Sequence, residues 1–214
     1  MIFTICNEKG GAGKSSISQA LACYLLLEKK EDTLLIDADP QRTTAEWCEE
    51  RNESELPSVP CVELHGNIAN ELKDLSGRYK NIVIDCGGAD SKAMRSALAV
   101  SDVALLPFRP KRRDLKVAPS MADTIETAKA LNPELKVFSV ITQAPTLPSQ
   151  SNRILSAKSF LRSLELNPLE HITRNVNSWD DADESGLSIF EYKEDRKAAD
   201  DATLIFDELL EAIK

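Results

Sequence analysis

Short, unbroken apolar runs alternate along the chain with longer stretches in which apolar residues recur every three or four positions. The short runs predict strands at Ile2–Cys6, Thr33–Asp37, Cys61–Leu64, Asn81–Asp85, Val103–Pro107 and Val137–Ile141. The longer stretches predict helices at 14–30, 66–76, 114–131, 150–164 and 198–213, and the last third reads as mostly helical. Runs of apolar residues without polar alternation belong to strands covered on both faces. Separated by helices, they predict a parallel sheet with right-handed crossovers. The expected fold class is α/β, a mostly parallel twisted sheet of about seven or eight strands flanked by helices. No repeat, low-complexity tract or linker interrupts the pattern, so the expectation is one domain over residues 1–214.

In such sheets ligands gather at the carboxyl ends of the strands. The polar segments at those ends are 7–16, 37–41, 85–90, 107–114 and 142–148. The first holds the strongest chemical signal, Lys9-Gly10-Gly11-Ala12-Gly13-Lys14-Ser15-Ser16, lying between a predicted strand and a predicted helix. Glycines let backbone N–H groups turn inward onto phosphate oxygens, and a helix N-terminus adds partial positive charge. Lys14 is placed to reach the β- and γ-phosphates, and the Ser15 hydroxyl to hold Mg²⁺. The common phosphate-loop pattern needs a glycine where this chain has Glu8, and a second lysine, Lys9, stands inside the loop. Asp37 and Asp39, in Ile-Asp-Ala-Asp-Pro, and Asp85, after Asn-Ile-Val-Ile, end strands at the same edge. Carboxylates there suit a divalent ion bridging phosphates.

Together these residues resemble the ParA/MinD ATPases. Lys-Gly-Gly-x-Gly-Lys-Ser-Ser resembles their deviant phosphate loop, Asp37-Ala-Asp-Pro-Gln41 their second motif, and Asn81-Ile-Val-Ile-Asp85 their third. Pro107-Phe-Arg-Pro110 with Asp114 resembles their proline segment. Ile172-Thr-Arg174-Asn-Val176, Gly186 and Ile189-Phe-Glu191 resemble the C-terminal region of ParA proteins. The resemblance implies a P-loop ATPase with ATP and Mg²⁺ as cofactors. The loop Gly10, Gly11, Ala12, Gly13, Lys14, Ser15 and Ser16 would bind nucleotide, Ser16 at the α-phosphate. Ser15 would ligate Mg²⁺, with Asp37 and Asp85 supporting it through water. Asp39 would orient the attacking water, and Lys9 would reach the ATP of a partner subunit in a homodimer. Arg174 matches a position used by ParA proteins on DNA. Ser15 and Ser16 stand where the family often has Thr, and Cys86-Gly87-Gly88-Ala89 replaces a proline-rich turn.

Charge complicates the DNA expectation. Twenty-six Lys and Arg against 35 Asp and Glu give a net charge of −9, so any DNA contact must come from a local patch, doubled in a dimer. The densest basic run is Arg109, Lys111, Arg112, Arg113 and Lys116, interrupted by Asp114. Arg112 and Arg113, with Arg174, are the candidate DNA contacts. The C-terminal stretch from Asp200 is amphipathic but acidic, which predicts packing on the sheet rather than membrane binding. Five widely spaced cysteines exclude a disulfide framework and predict buried thiols, with Cys86 next to Asp85 as the one whose reactivity is of interest. The absence of an N-terminal basic-apolar leader predicts a cytoplasmic protein, nucleoid-associated when ATP-bound.

Three functions fit these observations. One is a partition ATPase that binds DNA non-specifically and is stimulated by a centromere-binding, ParB-like adaptor. With the loop beginning near residue 9, this resembles small ParA proteins without an N-terminal helix-turn-helix. The second is a positioning ATPase for a protein cluster. The third is a small-molecule ligase of the same P-loop class.

Overall fold

The computed structural model describes residues 1–88 and 91–214. Seven strands form one sheet in which every pairing is parallel. They are β1 (Ile2–Ile5), β2 (Thr33–Ala38), β3 (Cys61–Glu63), β4 (Asn81–Cys86), β5 (Val103–Phe108), β6 (Lys136–Ala144) and β7 (Pro168–Arg174), in the spatial order β3-β2-β4-β1-β5-β6-β7. The expected α/β architecture is therefore present, with seven strands and no antiparallel member among the described residues.

Eight α-helices connect and cover the strands: α1 (Lys14–Cys23), α2 (Thr43–Asn52), α3 (Ala69–Ser76), α4 (Lys92–Leu98), α5 (Ala118–Leu131), α6 (Ser151–Ser163), α7 (Ser178–Asp183) and α8 (Arg196–Ala212). The side-chain period of two divides the central strands between two cores. Ile2, Ile82, Ile84, Ala104 and Leu106 face α3, α4, α5 and α6, whereas Phe3, Ile5, Val83, Val103 and Leu105 face α1, α2 and α8. Both faces are buried, which is why these strands read as continuous apolar runs.

Two expectations need correction. The strand β7 falls in the region expected to be mostly helical. It is an edge strand with an irregular register against β6, and only Leu169 and Thr173 are fully buried. Its Glu170 and His171 face outward to bind Arg162 and Glu208, so no apolar run marks it. The expected helix at 14–30 is α1 continued by a π-helical segment, Tyr24–Glu28, and ended by Lys30 at φ 58. Tyr24 within that segment packs on Phe190 and Phe206, with ring centroids 5.5 and 5.4 Å away. That aromatic cluster fixes α8, whose Ala202, Ile205, Phe206 and Leu209 are buried, against the sheet. Among the described residues, no helix is long and apolar enough to cross a membrane.

The chain runs outward from β1 toward β3 on one side, then crosses β1 to continue through β5 on the other. The strand order thus reverses at β1, and the carboxyl end of β1 is the place where such sheets bind ligands.

Candidate functional site

The loop after β1 is shaped by two glycines in the left-handed region, Gly11 at φ 70 and Gly13 at φ 88. Gly13 is the N-cap of α1, and no side chain caps that helix, so its first N–H groups remain available to an anion. The end of β6 orients the loop from outside. Thr142 Oγ1 donates to the Ala12 carbonyl at 2.7 Å, and Gln143 Nε2 to the Gly11 carbonyl at 3.2 Å. Gln143 itself has φ 48, an uncommon backbone state for a non-glycine residue, and its N–H donates to Thr173 Oγ1. On the other side, Asn7 donates to the Pro107 carbonyl and accepts from the Lys9 N–H.

Lys14 is buried, yet among the described residues its ammonium has a single long hydrogen bond, 3.4 Å to the Lys9 carbonyl. A buried cation with so little compensation is costly unless an anion meets it. The Lys9 ammonium makes no hydrogen bond or ion pair among the described residues. Ser15 and Ser16 follow on the first turn of α1 and line the same cleft as Gly10, Gly11 and Gly13.

The carboxylates come from neighbouring strands. Register pairs Asp37 on β2 directly with Asp85 on β4. Both are fully buried. Asp37 accepts from the Asp39 and Ala45 N–H groups, each at 2.8 Å, which ties the β2 end to the start of α2. Burial pushes the Asp37 carboxyl up. Asp85 accepts from Thr44 Oγ1 at 2.7 Å, while its other oxygen has no hydrogen-bond partner. Burial raises its pKa from an ordinary 3.8 to about 6, against the opposing pull of the Thr44 and Ser15 hydroxyls. Asp39 is partly exposed beside Gly87, where an added Cβ would lie 3.2 Å from its carboxylate. Ala89 and Asp90 lie outside the described residues.

Lys14, Ser15, Ser16, Asp39 and the three loop glycines therefore border one open cleft of about 710 Å³, with Asp85 beneath. A smaller recess of about 90 Å³ continues past Gly13 and Ser16 to Arg174, Asn175, Trp179 and Asp180. A glycine cradle, an undersatisfied buried lysine and an orphaned carboxylate oxygen fit a nucleotide phosphate with a hard divalent cation. Thr44, Thr142 and Gln143 had no assigned role in the sequence. The placement of Thr43-Thr44 after the Asp-Pro-Gln segment, at a helix start, could have flagged the first, and the other two lie in the polar segment 142–148 at a strand end.

The chain matches the CobQ/CobB/MinD/ParA nucleotide binding domain model over residues 3–185. It belongs to that family. Within the family it is 26% identical over 211 residues to the maintenance of carboxysome distribution protein A of Halothiobacillus neapolitanus, covering 97% of this chain and 95% of the relative. It is 26% identical to Protein ParA of Rhizobium radiobacter over 152 residues, 67% of this chain and 66% of that protein. The structure of apo McdA from Cyanothece superposes with a TM-score of 0.79 at 15% identity, over 97% of this chain and 98% of that one, a likeness of fold.

Gly186 and Glu191, expected from the sequence to belong to a C-terminal motif, have a structural role here. Arg51 on α2 is fully buried and binds both oxygens of Glu191 at 2.7 Å, with a further bond to the Gly186 carbonyl. Gly186, at φ 62, lies so close that a Cβ would stand 3.0 Å from the Arg51 nitrogen. Trp47 Nε1 donates to the Leu187 carbonyl. The helix that begins at the Asp39–Thr44 edge is thus strapped at its far end to residues 186–191.

The basic candidates are dispersed. Arg112 and Arg113 are exposed on the loop after β5. Arg174 ends β7 in a two-bond ion pair with Asp201, at 2.7 and 2.8 Å. Cys86 is fully buried and its thiol is pushed well above the ordinary range by burial, so it is an unreactive core residue. Of the cysteines, only Cys61 is partly exposed. His171 Nδ1 donates to the Glu208 carboxylate, a packing role.

Proposed function

We propose that this protein is an ATP-hydrolysing positioning ATPase that dimerises around ATP, binds DNA non-specifically in that state and releases it on hydrolysis. The observation that carries this reading is Lys9. Its ammonium makes no hydrogen bond or ion pair among the described residues, and it stands one turn of loop from the undersatisfied Lys14. A lysine with no partner at home is suited to the phosphates held by a second copy. ATP would then favour the dimer through contacts that exist only there, and hydrolysis would remove that bias.

In this reading Lys14 and the N–H groups of residues 10–16 bind the ATP phosphates. Ser15 would hold Mg²⁺, with Asp37 and Asp85 behind it through water; the ion neutralises phosphate charge and orients the γ-phosphoryl group. Asp39, held by the Gln41 N–H but otherwise open to the cleft, orients the attacking water. The small recess at Asn175 and Trp179 takes the nucleoside end. Arg112 and Arg113 supply the DNA contact, and two copies of that loop add in a dimer to offset the net acidity. Arg174 contributes only if its pair with Asp201 opens.

The cargo is a DNA molecule, delivered by a centromere-binding ParB-like adaptor that stimulates hydrolysis. A second reading, a protein cluster as cargo, draws support from the 26% identity to a maintenance of carboxysome distribution protein A, spanning 97% of this chain and 95% of that protein. Binding to a random-sequence duplex, with ATP, with ADP and without nucleotide, at two salt concentrations, tests the shared core. Salt-sensitive binding with ATP alone is the expected result. Binding in no state would leave a protein cargo without DNA contact, or the small-molecule ligase reading.

A further inference from the structure

Several cations of this acidic chain are neutralised where they stand. Arg109 pairs with Asp114 at 2.9 Å, Arg42 with Glu49 and Glu63, and Lys158 and Arg162 with Glu170. Lys111, Lys116 and Arg153 are not among them. All three are exposed, and none forms an ion pair among the described residues. They border one groove of about 770 Å³ between the loop after β5 and helix α6, with Arg112 on the same rim. Arg153 is engaged only by the neutral Gln150 amide oxygen.

The floor of this groove is apolar: Leu115 from the loop side, and Ala157 and Phe160 from α6. Phe160 is 38% exposed, large for an aromatic ring on a surface otherwise rich in charge. No acidic residue lines the groove. From Arg153 to Phe160 the α6 face runs about 10 Å, the length of roughly two helical turns.

We propose that this groove docks an acidic amphipathic helix of the cargo adaptor, its apolar stripe on Phe160, Leu115 and Ala157 and its carboxylates on Lys111, Lys116 and Arg153. The identity of the partner as an adaptor rests on the positioning reading above; the chemistry of the site does not. A helix with one apolar and one acidic face satisfies both halves of the groove. A duplex satisfies only one, because a sugar-phosphate face offers oxygens to the rim and nothing apolar to a recessed floor. With a net charge of −9, the rest of the surface repels an acidic partner, so the groove gains selectivity from what surrounds it.

The test uses the full chain without nucleotide and a fluorescent peptide of about 15 residues with glutamates on one helical face and leucines on the other. The comparators are a scrambled peptide of the same composition and a short random-sequence duplex. The proposal expects the patterned peptide to bind at least roughly tenfold more tightly than the scrambled one. Lys116→Glu with Arg153→Glu should weaken it about tenfold or more, and Phe160→Ser severalfold, with basal ATP turnover unchanged in both. Equal binding of patterned and scrambled peptides, or no binding of either, overturns it. So does a peptide that duplex DNA displaces while Phe160→Ser changes nothing, since that outcome makes the groove a nucleic-acid surface. Because nucleotide is absent, a failure of ATP-dependent DNA binding leaves this result standing, and a failure here leaves the ATP switch standing.

Discussion

Replacing Asp85 with Asn would separate the cost of burying its charge from the benefit that charge confers on the site. In the metal-free protein the carboxyl is fully buried, accepts one hydrogen bond from Thr44 and leaves its second oxygen unpartnered. Its pKa rises from 3.8 unfolded to about 6 folded. The folded state therefore binds the proton more tightly than the unfolded chain. Stability from this group is present at low pH, declines as pH rises from 3.8 toward 6, and is absent above 6. At about 1.4 kcal/mol per tenfold change in proton affinity, the whole effect is about 3 kcal/mol. About 2 kcal/mol of it is regained on going from about pH 7.5 to about pH 4.5. Asn matches the shape of the protonated acid and cannot ionise. Urea unfolding of both proteins in chelator, at several pH values, measures the difference. Asp85→Asn should gain about 2 kcal/mol relative to the parent between pH 4.5 and 7.5, while losing Mg²⁺-dependent ATP affinity at neutral pH. Comparing the two proteins cancels the opposite trends of Glu31, Asp195 and Asp207, whose hydrogen-bond partners lower their pKa values. A stability difference that stays flat across this range would refute the reasoning.

Thr142→Val removes the donor to the buried Ala12 carbonyl; ATP should bind roughly tenfold more weakly, and Thr142→Ser should restore it, in a fluorescence titration with a labelled analogue. Arg51→Met leaves Glu191 and the Gly186 carbonyl without their buried partner, and should cost about 3–5 kcal/mol in urea unfolding. Lys14→Ala removes the buried ammonium from the phosphate loop and should reduce ATP affinity by roughly 100-fold or more by calorimetry; unchanged affinity would place the nucleotide elsewhere.

The central sheet was legible because β1, β2, β4 and β5 are buried on both faces and so write themselves as apolar runs ending in Asn7, Asp37, Asp85 and Pro107. The phosphate loop was legible because its chemistry is local: Lys14 and Ser15 follow Gly13 at fixed offsets. The edge strand β7 was not, since its half-exposed face carries Glu170 and His171. Long-range partners were illegible for a different reason. Thr142 meets Ala12, and Arg51 meets Glu191, across 130 and 140 residues, and no spacing rule connects such positions. The surface was the least readable. Arg109 and Arg174 look like free cations in the sequence, but Asp114 and Asp201 neutralise them. Lys116 and Arg153, far apart in the sequence, meet at one groove.

The most direct test of the ATP-switched dimer is its mass in solution, using light scattering on a variant that holds ATP without hydrolysing it, Asp39→Ala. The subunit is 23.6 kDa. With Mg²⁺ and ATP this variant should run at twice that mass and return to the subunit mass in ADP. Adding Lys9→Ala should abolish the dimer while leaving ATP bound. A dimer that survives Lys9→Ala undiminished, or a monomer in every nucleotide state, would contradict the account.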